Sequence, residues 1–547
     1  MGRAVTNAPD DPRSRARRAP APSLGAAWIW GVFGLCAIVP ALALLPDAAR
    51  GITGQSAREA ALGSIPARAL ASGAIYACSI ALLAAMLAWP AALAVAGARR
   101  RWLVVLAAPL LLPPFLAFAA WSIARAPTTP LGRFIGGAPE HGLAWVPLAA
   151  ARAFAVGGLA LWAWPLAALV MAVGLRALGP EVRESLHLDG CRTFGRTRVL
   201  SRAVLPSIAA AIVLVALLML GSAVPLHVAR VETHAIRVWM VLDEHPAEPW
   251  LAWIAAWPLL VVAAAAGWLL SGPFARAAGL RGAVAGGEHR APGVRPLALA
   301  AAALPWLLSI VVPFVLFLWS VGSARAISRF VRDASGGIAS GAAIAAAVGV
   351  LATTLALGAS HAVGSRRADA RCIRPLLAMA IAWALIPGVL VGAAVAHVAR
   401  MGWAPDWIAE SAAPVVVAHV ARVAFLPLLA GAWLGVSEPR ALRELRELDG
   451  AGRPSAWAAT AARSQLGPVL AVGVAAACLS FHEIEASIQV QPPGLDHLAQ
   501  RLLQWLHYER TAELSAAGVV LLGAGLLATG AILLATRFAR TPDHVHR

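Results

Sequence analysis

Twelve apolar stretches, each close to the length needed to cross a lipid bilayer, constrain this 547-residue chain more than any other feature. A membrane-spanning helix requires roughly 20 predominantly apolar residues. The stretches lie near residues 24–46, 69–97, 102–124, 146–175, 205–224, 250–271, 297–320, 337–360, 375–399, 413–436, 468–486 and 513–536. Because a lipid-exposed backbone must satisfy its own polar groups, these stretches predict helices.

The composition excludes an ordinary soluble protein. Apolar residues make up 60% of the chain and charged residues 13%, whereas a soluble domain carries about 25% charged residues. The net charge of +18 does not indicate nucleic-acid binding, because the basic residues form short clusters between apolar runs. The chain contains no lysine, and a Walker A loop needs a lysine to reach the nucleotide phosphates. An ATP site of that kind is therefore excluded.

The arginines predict an orientation. With the N-terminus in the cytoplasm, 30 of the 45 arginines fall in segments on the cytoplasmic side and 13 in the outer loops. This bias agrees with the positive-inside rule and places both termini in the cytoplasm. The length of the first apolar run favours a retained span over a cleaved signal peptide. The predicted divisions are an N-terminal tail (1–23), a first six-span unit (24–271), a cytoplasmic linker (272–296), a second six-span unit (297–536) and a C-terminal tail (537–547).

One motif occurs twice. Residues 183–190 (RESLHLDG) and 443–450 (RELRELDG) both fit R-E-x-x-x-L-D-G, and each lies between the fourth and fifth predicted spans of its unit. An even number of spans in each unit gives the two copies the same orientation in the membrane. The predicted fold is therefore all-α and polytopic, with about twelve transmembrane helices in two tandem six-helix repeats.

The repeated loops resemble the EAA loop of permeases of binding-protein-dependent ABC importers, in which an acidic residue and small residues precede a glycine and a later Leu-Pro. The matching residues are Glu184, Asp189, Gly190, Leu205 and Pro206 in the first loop, and Glu444, Asp449 and Gly450 in the second. The positions after each glutamate depart from the pattern, with Ser185-Leu186 and Leu445-Arg446, and the second loop ends in Gly467-Pro468.

Two further segments are similar to fused permeases for iron(III), thiamine and related solutes. Residues 481–494 (FHEIEASIQVQPPG) resemble the segment after the fifth core helix of that type, and residues 221–226 (GSAVPL) occupy the same place in the first unit. The run His419-Val420-Ala421-Arg422 is similar to its fourth core helix.

The resemblance implies a type I ABC importer permease in the inner membrane of a bacterium. The two loops would act as ATPase-coupling helices through Glu184, Asp189, Gly190, Glu444, Asp449 and Gly450. Two ABC ATPase subunits would bind them on the cytoplasmic side, and an extracytoplasmic solute-binding protein would deliver ferric iron, thiamine or a similar solute. The chain itself would be no enzyme and would need no cofactor.

Few charged residues lie in or near the predicted spans. His482, Glu483 and Glu485 fall at the outer end of the eleventh span, and Arg152 and Arg422 lie near outer span ends. They are candidates for lining the translocation pathway; the alternative is that they meet water at the membrane interface. The five cysteines are scattered without C-x-x-C spacing, so no metal site or disulfide is expected.

Two other classes of protein remain. An ion-coupled secondary transporter with two six-helix repeats would require ionisable groups at the bilayer midplane, which are scarce, and would leave the matched loops without a role. A membrane-embedded enzyme would require acidic or histidine clusters at one membrane face, and the acidic residues of the two repeated loops already belong to the matched motif.

Overall fold

A computed structural model describes most of the chain. The described residues are 24–51, 67–96, 100–178, 193–281, 296–364, 370–436 and 462–538. Within these ranges residues 229, 403, 404, 497 and 509 are not described, and outside them the single residues 54, 59, 438 and 457 are. Across them the backbone forms helices and turns, and no strand. The six predicted coupling residues, Glu184, Asp189, Gly190, Glu444, Asp449 and Gly450, lie outside the described residues.

The helices of the first half (residues 24–281) follow the predicted spans. They are α1 (Leu24–Gly51), α2 (Ala67–Ala96), α3 (Arg100–Ala107), α4 (Pro114–Ile123), α5 (Pro130–Gly137), α6 (Val146–Ala177), α7 (Thr193–Ala203), α8 (Leu205–Gly221), α9 (Val224–Val228), α10 (His234–Glu244), α11 (Pro249–Ala255) and α12 (Trp257–Arg281). A 3₁₀ turn at Ala108–Leu111 extends α3.

The second half (residues 296–538) places helices of similar kind in a similar order. They are α13 (Pro296–Val321), α14 (Ala324–Asp333), α15 (Ser335–Gly364), α16 (Ala370–Leu385), α17 (Gly388–Arg400), α18 (Asp406–Ala409), α19 (Ala413–Val423), α20 (Phe425–Val436), α21 (Arg463–Phe481), α22 (Ser487–Val490), α23 (Leu498–His507) and α24 (Thr511–Phe538).

These helices confirm the predicted class of an all-helical, multi-pass membrane protein. By length and composition six of them can cross a membrane unbroken, namely α1, α2, α6, α13, α15 and α24. Counting each bent pair of helices as one span raises the number to as many as eleven, and α21 is a shorter apolar helix over Gln465–Phe481. The count of twelve spans stays a prediction.

Several boundaries differ from the sequence prediction. Helix α21 ends at Phe481, so residues 482–486 lie beyond the span that was expected to include them. Helix α12 continues to Arg281, and α13 begins at Pro296, which leaves a shorter connection than the predicted linker 272–296. Hydropathy marks where a segment is apolar, whereas the backbone can remain helical well beyond the lipid.

The first span of each half packs against the other half. Helix α2 packs on α6 and α8, and α15 packs on α20 and α21, so each half has its own core. Helix α1, however, contacts α15, and α13 contacts α2. One hydrogen bond of this exchange runs from the Trp164 indole on α6 to the Ser309 hydroxyl on α13, at 2.9 Å. The two halves therefore form one helical bundle.

Large apolar side chains cover much of the outside of the bundle. Met86 on α2, Leu269 on α12 and Leu527 on α24 are 72%, 69% and 78% exposed. In water such a surface would aggregate, whereas in a bilayer it faces acyl chains at no cost.

In the first half, the C-terminal ends of α2 and α6, both predicted to be cytoplasmic, lie side by side. The Arg176 guanidinium near the end of α6 donates to the carbonyl oxygens of Val95 and Ala96, at 3.0 and 3.3 Å, so α2 and α6 end together. A Cβ added to Gly174 would meet Ser207, so α8 begins at the same end. Helix α8 then runs to Gly221 at the opposite end.

The second half aligns with the first through α12 and α16. Leu259 and Leu385 lie beside Gly221 around one small apolar cavity. Both helices therefore pass from that level to the end where the Arg374 guanidinium lies 4.2 Å from the ring of Trp268.

The remaining helices of the second half complete the alignment. The Ser360 hydroxyl hydrogen-bonds Gln465, which joins the end of α15 to the start of α21. A Cβ at Gly431 would touch Ala356 of α15, which places the last turns of α20 near the same level. The helices that flank both motif loops (residues 177, 193, 436 and 463) thus meet at one end of the bundle, which we name the loop end.

Candidate functional site

The third predicted span is broken in both halves. In the first half the axes of Trp102–Leu111 and Pro114–Ile123 differ by 75°, and in the second half those of Arg374–Leu385 and Gly388–Arg400 differ by 101°. Pro113 and Pro387 lie in the breaks, where a proline cannot supply an N–H to continue the helix. Each break exposes carbonyl and N–H groups that need hydrogen-bond partners in an apolar environment.

Arg422 satisfies the carbonyl side of the second break. Its guanidinium donates to the carbonyl oxygens of Ala384 and Ile386, at 3.0 and 2.6 Å. The Arg422 Nε also lies 3.8 Å from the Glu483 carboxylate, and both side chains are largely buried. A cation at the C-terminal end of α16 complements the helix dipole, so Arg422 stabilises the break both by hydrogen bonds and by charge.

Glu485 satisfies the N–H side of the same break. Its Oε2 accepts a hydrogen bond from the backbone N–H of Gly388, the first residue of α17, at 3.1 Å. Only 6% of the residue is exposed. A carboxylate at a helix start complements the helix dipole. The end of α16 therefore has a positive side chain and the start of α17 a negative one, each opposite in sign to the helix terminus that it contacts.

The other Glu485 oxygen reaches into the first half. Oε1 accepts from the backbone N–H groups of Ala223 and Val224, at 2.9 and 3.2 Å, and from the Ser222 hydroxyl at 3.2 Å. One carboxylate therefore joins three segments: the end of α8, the start of α17 and its own turn after α21. We name Arg422, Glu483, Glu485, Gly388 and residues 222–224 the Glu485 cluster.

Gly388 fits this cluster because it lacks a side chain. A Cβ at this position would lie 2.8 Å from the Glu485 Cβ and 3.1 Å from a Glu483 oxygen. A contact under 3.0 Å forces a neighbour to move, so any larger residue would displace the carboxylate that binds the Gly388 N–H.

His419 holds the adjacent helix in place. Its Nδ1 lies 2.8 Å from the Ser480 hydroxyl, and its Nε2 lies 2.7 Å from the Ser487 hydroxyl. The imidazole is completely buried. It fixes α19, which carries Arg422, against the turn that carries Glu483 and Glu485.

The first break is held by uncharged groups. The Trp162 indole N–H on α6 donates to the Leu112 carbonyl at 2.8 Å, and the Cys478 thiol lies 3.4 Å from the Leu111 carbonyl. The His482 imidazole also interacts with the Leu111 backbone, and among the described residues its Nε2 has no hydrogen-bond partner. The end of α21 and the turn after it therefore contact both broken spans.

The structure brings together most of the residues predicted to line a pathway. Arg422, Glu483 and Glu485 form the core of the Glu485 cluster, with His482 beside them facing the other break. Arg152 does not join them; it is exposed near the start of α6. In the structure Glu485 and His482 are largely buried, at 6% and 9% exposed, and both interpretations of the groups at 482–485, pathway lining and contact with water, stay predictions.

Sequence reasoning missed three parts of the site. It gave no role to Gly388, and it noted His419 and the segment 221–226 only as resemblances. The signal for the break itself is visible, since Pro387-Gly388 interrupts an apolar run. The partners of Glu485 lie 97 and about 262 residues away, and no local pattern connects them.

The cluster is buried inside the bundle, at the end opposite the loop end. Buried ionised groups between apolar helices are costly unless they are paired, and they mark functional positions in membrane proteins. This contact between the halves is therefore the candidate site.

Comparison of the chain with known protein families, with curated proteins and with solved structures finds no match. The protein is thus defined by its own features: a multi-pass helical bundle that is broken at both predicted third spans and has a buried carboxylate, Glu485, that hydrogen-bonds both halves.

Proposed function

We propose that this chain is the membrane-spanning permease subunit of a binding-protein-dependent ABC importer. It forms the translocation pathway for a small solute such as ferric iron or thiamine, in the inner membrane of a bacterium. Two separate ATPase subunits bind at the loop end, which is cytoplasmic, and a solute-binding protein docks at the opposite end. Both chain termini are cytoplasmic.

One observation carries the proposal: the helices that flank both copies of R-E-x-x-x-L-D-G meet at the loop end. Arg176 joins the ends of α2 and α6 there, and the pair Ser360–Gln465 joins α15 to α21. Two motif loops whose flanking helices meet at one end of the bundle suit a motor of two identical subunits. The absence of lysine means that the ATP site belongs to another chain.

The helix order supports two tandem six-helix repeats of the type I importer fold. The 30-residue α2 and the 30-residue α15 have equivalent neighbours, as do the broken third spans. The exchange of α1 and α13 between the halves gives the bundle an approximate two-fold arrangement. Motion of the ATPase subunits would then act on the two halves as on rigid bodies.

Co-purification with the ATPase encoded beside this chain tests the proposal. Replacing Gly190 or Gly450 by tryptophan should each remove one bound ATPase subunit, and the double variant should bind none. Gly136→Trp is the matched control, because an added side chain there meets open space at the opposite end of the bundle. The proposal is wrong if the unchanged chain binds no ATPase, or if the double variant binds it as well as the control does.

A second candidate is an ion-coupled secondary transporter. The buried Arg422, Glu483 and Glu485 at a broken helix favour it, since such transporters use discontinuous helices and intramembrane ionisable groups. Uptake into proteoliposomes separates the two functions. An importer needs internal ATP and the ATPase and is insensitive to ionophores, whereas a secondary transporter works without ATP and stops when ionophores collapse the gradient.

A further inference from the structure

The two helices that follow the motif loops end in the same contact. Helix α8 begins at Leu205, shortly after the first loop, and leads to Ser222, Ala223 and Val224. Helix α21 begins at Arg463, shortly after the second loop, and leads to Glu485. Seventeen and nineteen residues of helix, about 25 and 28 Å, separate these starts from the Glu485 cluster.

We propose that Glu485 is a positioning residue that holds the outer end of the pathway closed, and that relative movement of α8 and α21 releases it. The proposal deepens the proposed function and rests on it, because the ATPase subunits would supply the movement. Each helix is continuous from the loop end to this contact, with Pro468 five residues after the start of α21, so a shift between the two loops is transmitted along the helices to Glu485.

The contact has the chemistry of a closure that must open towards water. Four donors converge on one carboxylate: the Ser222 hydroxyl and the N–H groups of Ala223, Val224 and Gly388. Once the outer end opens, water hydrates both the carboxylate and the N–H groups, so the loss on opening is small.

The same contact also controls the bend of the third span. Glu485 Oε2 binds the start of α17, while the neighbouring Glu483 lies beside Arg422, which binds the end of α16. Withdrawal of the turn 482–486 therefore frees the N–H side of the break and moves the partner of Arg422. Opening between the halves and reorientation of α17 become one event.

Replacing the Glu485 carboxylate by a neutral amide tests the contact most directly. In Glu485→Gln one oxygen becomes an NH₂ group, which then faces either the Gly388 N–H or the N–H groups of Ala223 and Val224. Donor faces donor in both orientations, so one side of the contact is lost with little change of volume. Gly388→Ala attacks the contact from its other side, because its Cβ would lie 2.8 Å from the Glu485 Cβ.

Thiol labelling from outside measures the opening. The full chain, with its five cysteines replaced by alanine, carries Val224→Cys, a position only 4% exposed in the closed contact. In lipid nanodiscs without ATPase, a water-soluble maleimide should label Cys at 224 slowly when Glu485 is present. Glu485→Gln should raise the rate about tenfold, the change that loss of one charged hydrogen bond predicts. Gly388→Ala should raise it in the same direction.

Two controls separate closure from general loosening. Val238→Cys on α10 is buried at the same end of the bundle, and its labelling rate should not change with Glu485→Gln. Glu410→Gln, an exposed glutamate at that end, should leave labelling at 224 unchanged. Equal rates at 224 with Glu485 and with Glu485→Gln or Gly388→Ala, in folded monodisperse protein, would overturn the proposal.

A second arm keeps this proposal distinct from the proposed function. With Glu485 intact, adding the ATPase and ATP should speed labelling at 224. If labelling responds to Glu485→Gln but no ATPase binds, the closure stands and the importer function fails. If the ATPase binds and hydrolyses ATP while labelling ignores both the nucleotide and Glu485→Gln, the importer function stands and the closure fails.

Discussion

The broken third spans of the two halves occupy equivalent places, yet different chemistry holds them. At the first break, the Trp162 indole binds the carbonyl group of Leu112 and the Cys478 thiol binds that of Leu111. At the second, the charged side chains of Arg422 and Glu485 bind the two sides. The second break is also the sharper one, at 101° against 75°.

Neutral donors are sufficient to stabilise such a break, as the first half demonstrates. A buried ion pair carries a large desolvation cost and is no better for stability than uncharged groups of similar shape. The charges of the second break therefore indicate a requirement other than stability. A contact that must separate and become hydrated would need charged groups, because charged groups are stabilised by hydration more than neutral ones are.

Arg422→Met should have the largest effect on stability. The substitution leaves the carbonyl groups of Ala384 and Ile386 without their donor and the Glu483 carboxylate without its cation. Removing one partner of a buried ion pair costs about 3–5 kcal/mol of unfolding free energy. Reversible denaturant unfolding in detergent measures the loss.

Arg400→Met is the matched control, since Arg400 is an exposed arginine at the end of the same bent pair and donates to the Ala396 carbonyl of its own helix. Adding Glu483→Gln to Arg422→Met should recover part of the loss, because the uncompensated carboxylate is gone. A loss for Arg422→Met no larger than for Arg400→Met would show that the second break does not depend on charge.

Trp162→Phe should have an intermediate effect at the first break. The Leu112 carbonyl loses its donor while the aromatic packing is mostly kept, and an unsatisfied buried carbonyl costs about 1–3 kcal/mol. The same unfolding experiment measures it, with Trp319→Phe at an exposed tryptophan of α13 as control. If Trp162→Phe destabilises the protein as much as Arg422→Met, the two breaks do not differ in kind.

The sequence predicted the helices far better than it predicted this difference. Apolar runs of about 20 residues located the long apolar helices, because in lipid a helix satisfies the hydrogen-bonding groups of its own backbone. Pro113 and Pro387 lie at the breaks, but no break was predicted from them. Arg422, Glu483 and Glu485 were recognised because ionisable groups near spans are rare.

The environment of those residues was not predictable. Glu485 was expected to line a pathway or meet water, whereas it is buried against backbone N–H groups of both halves. Which groups meet depends on how α8, α17 and α21 converge, and these contacts join residues far apart in the chain. A lone Gly388 carries no sign that its N–H has a carboxylate partner.

Cys478→Ala should have the smallest effect and gives the finest test of the first break. A thiol is a weak donor, so its bond to the Leu111 carbonyl contributes less than about 1 kcal/mol. Cys36→Ala makes the same substitution at a buried thiol on α1, and the difference between the two isolates the bond to Leu111. A difference near that expected for Trp162→Phe would make the thiol a principal support of the first break. Two neutral hydrogen bonds would then both stabilise the first break. The first break would differ more clearly from the second, where the charged contact at Glu485 can be hydrated when it opens.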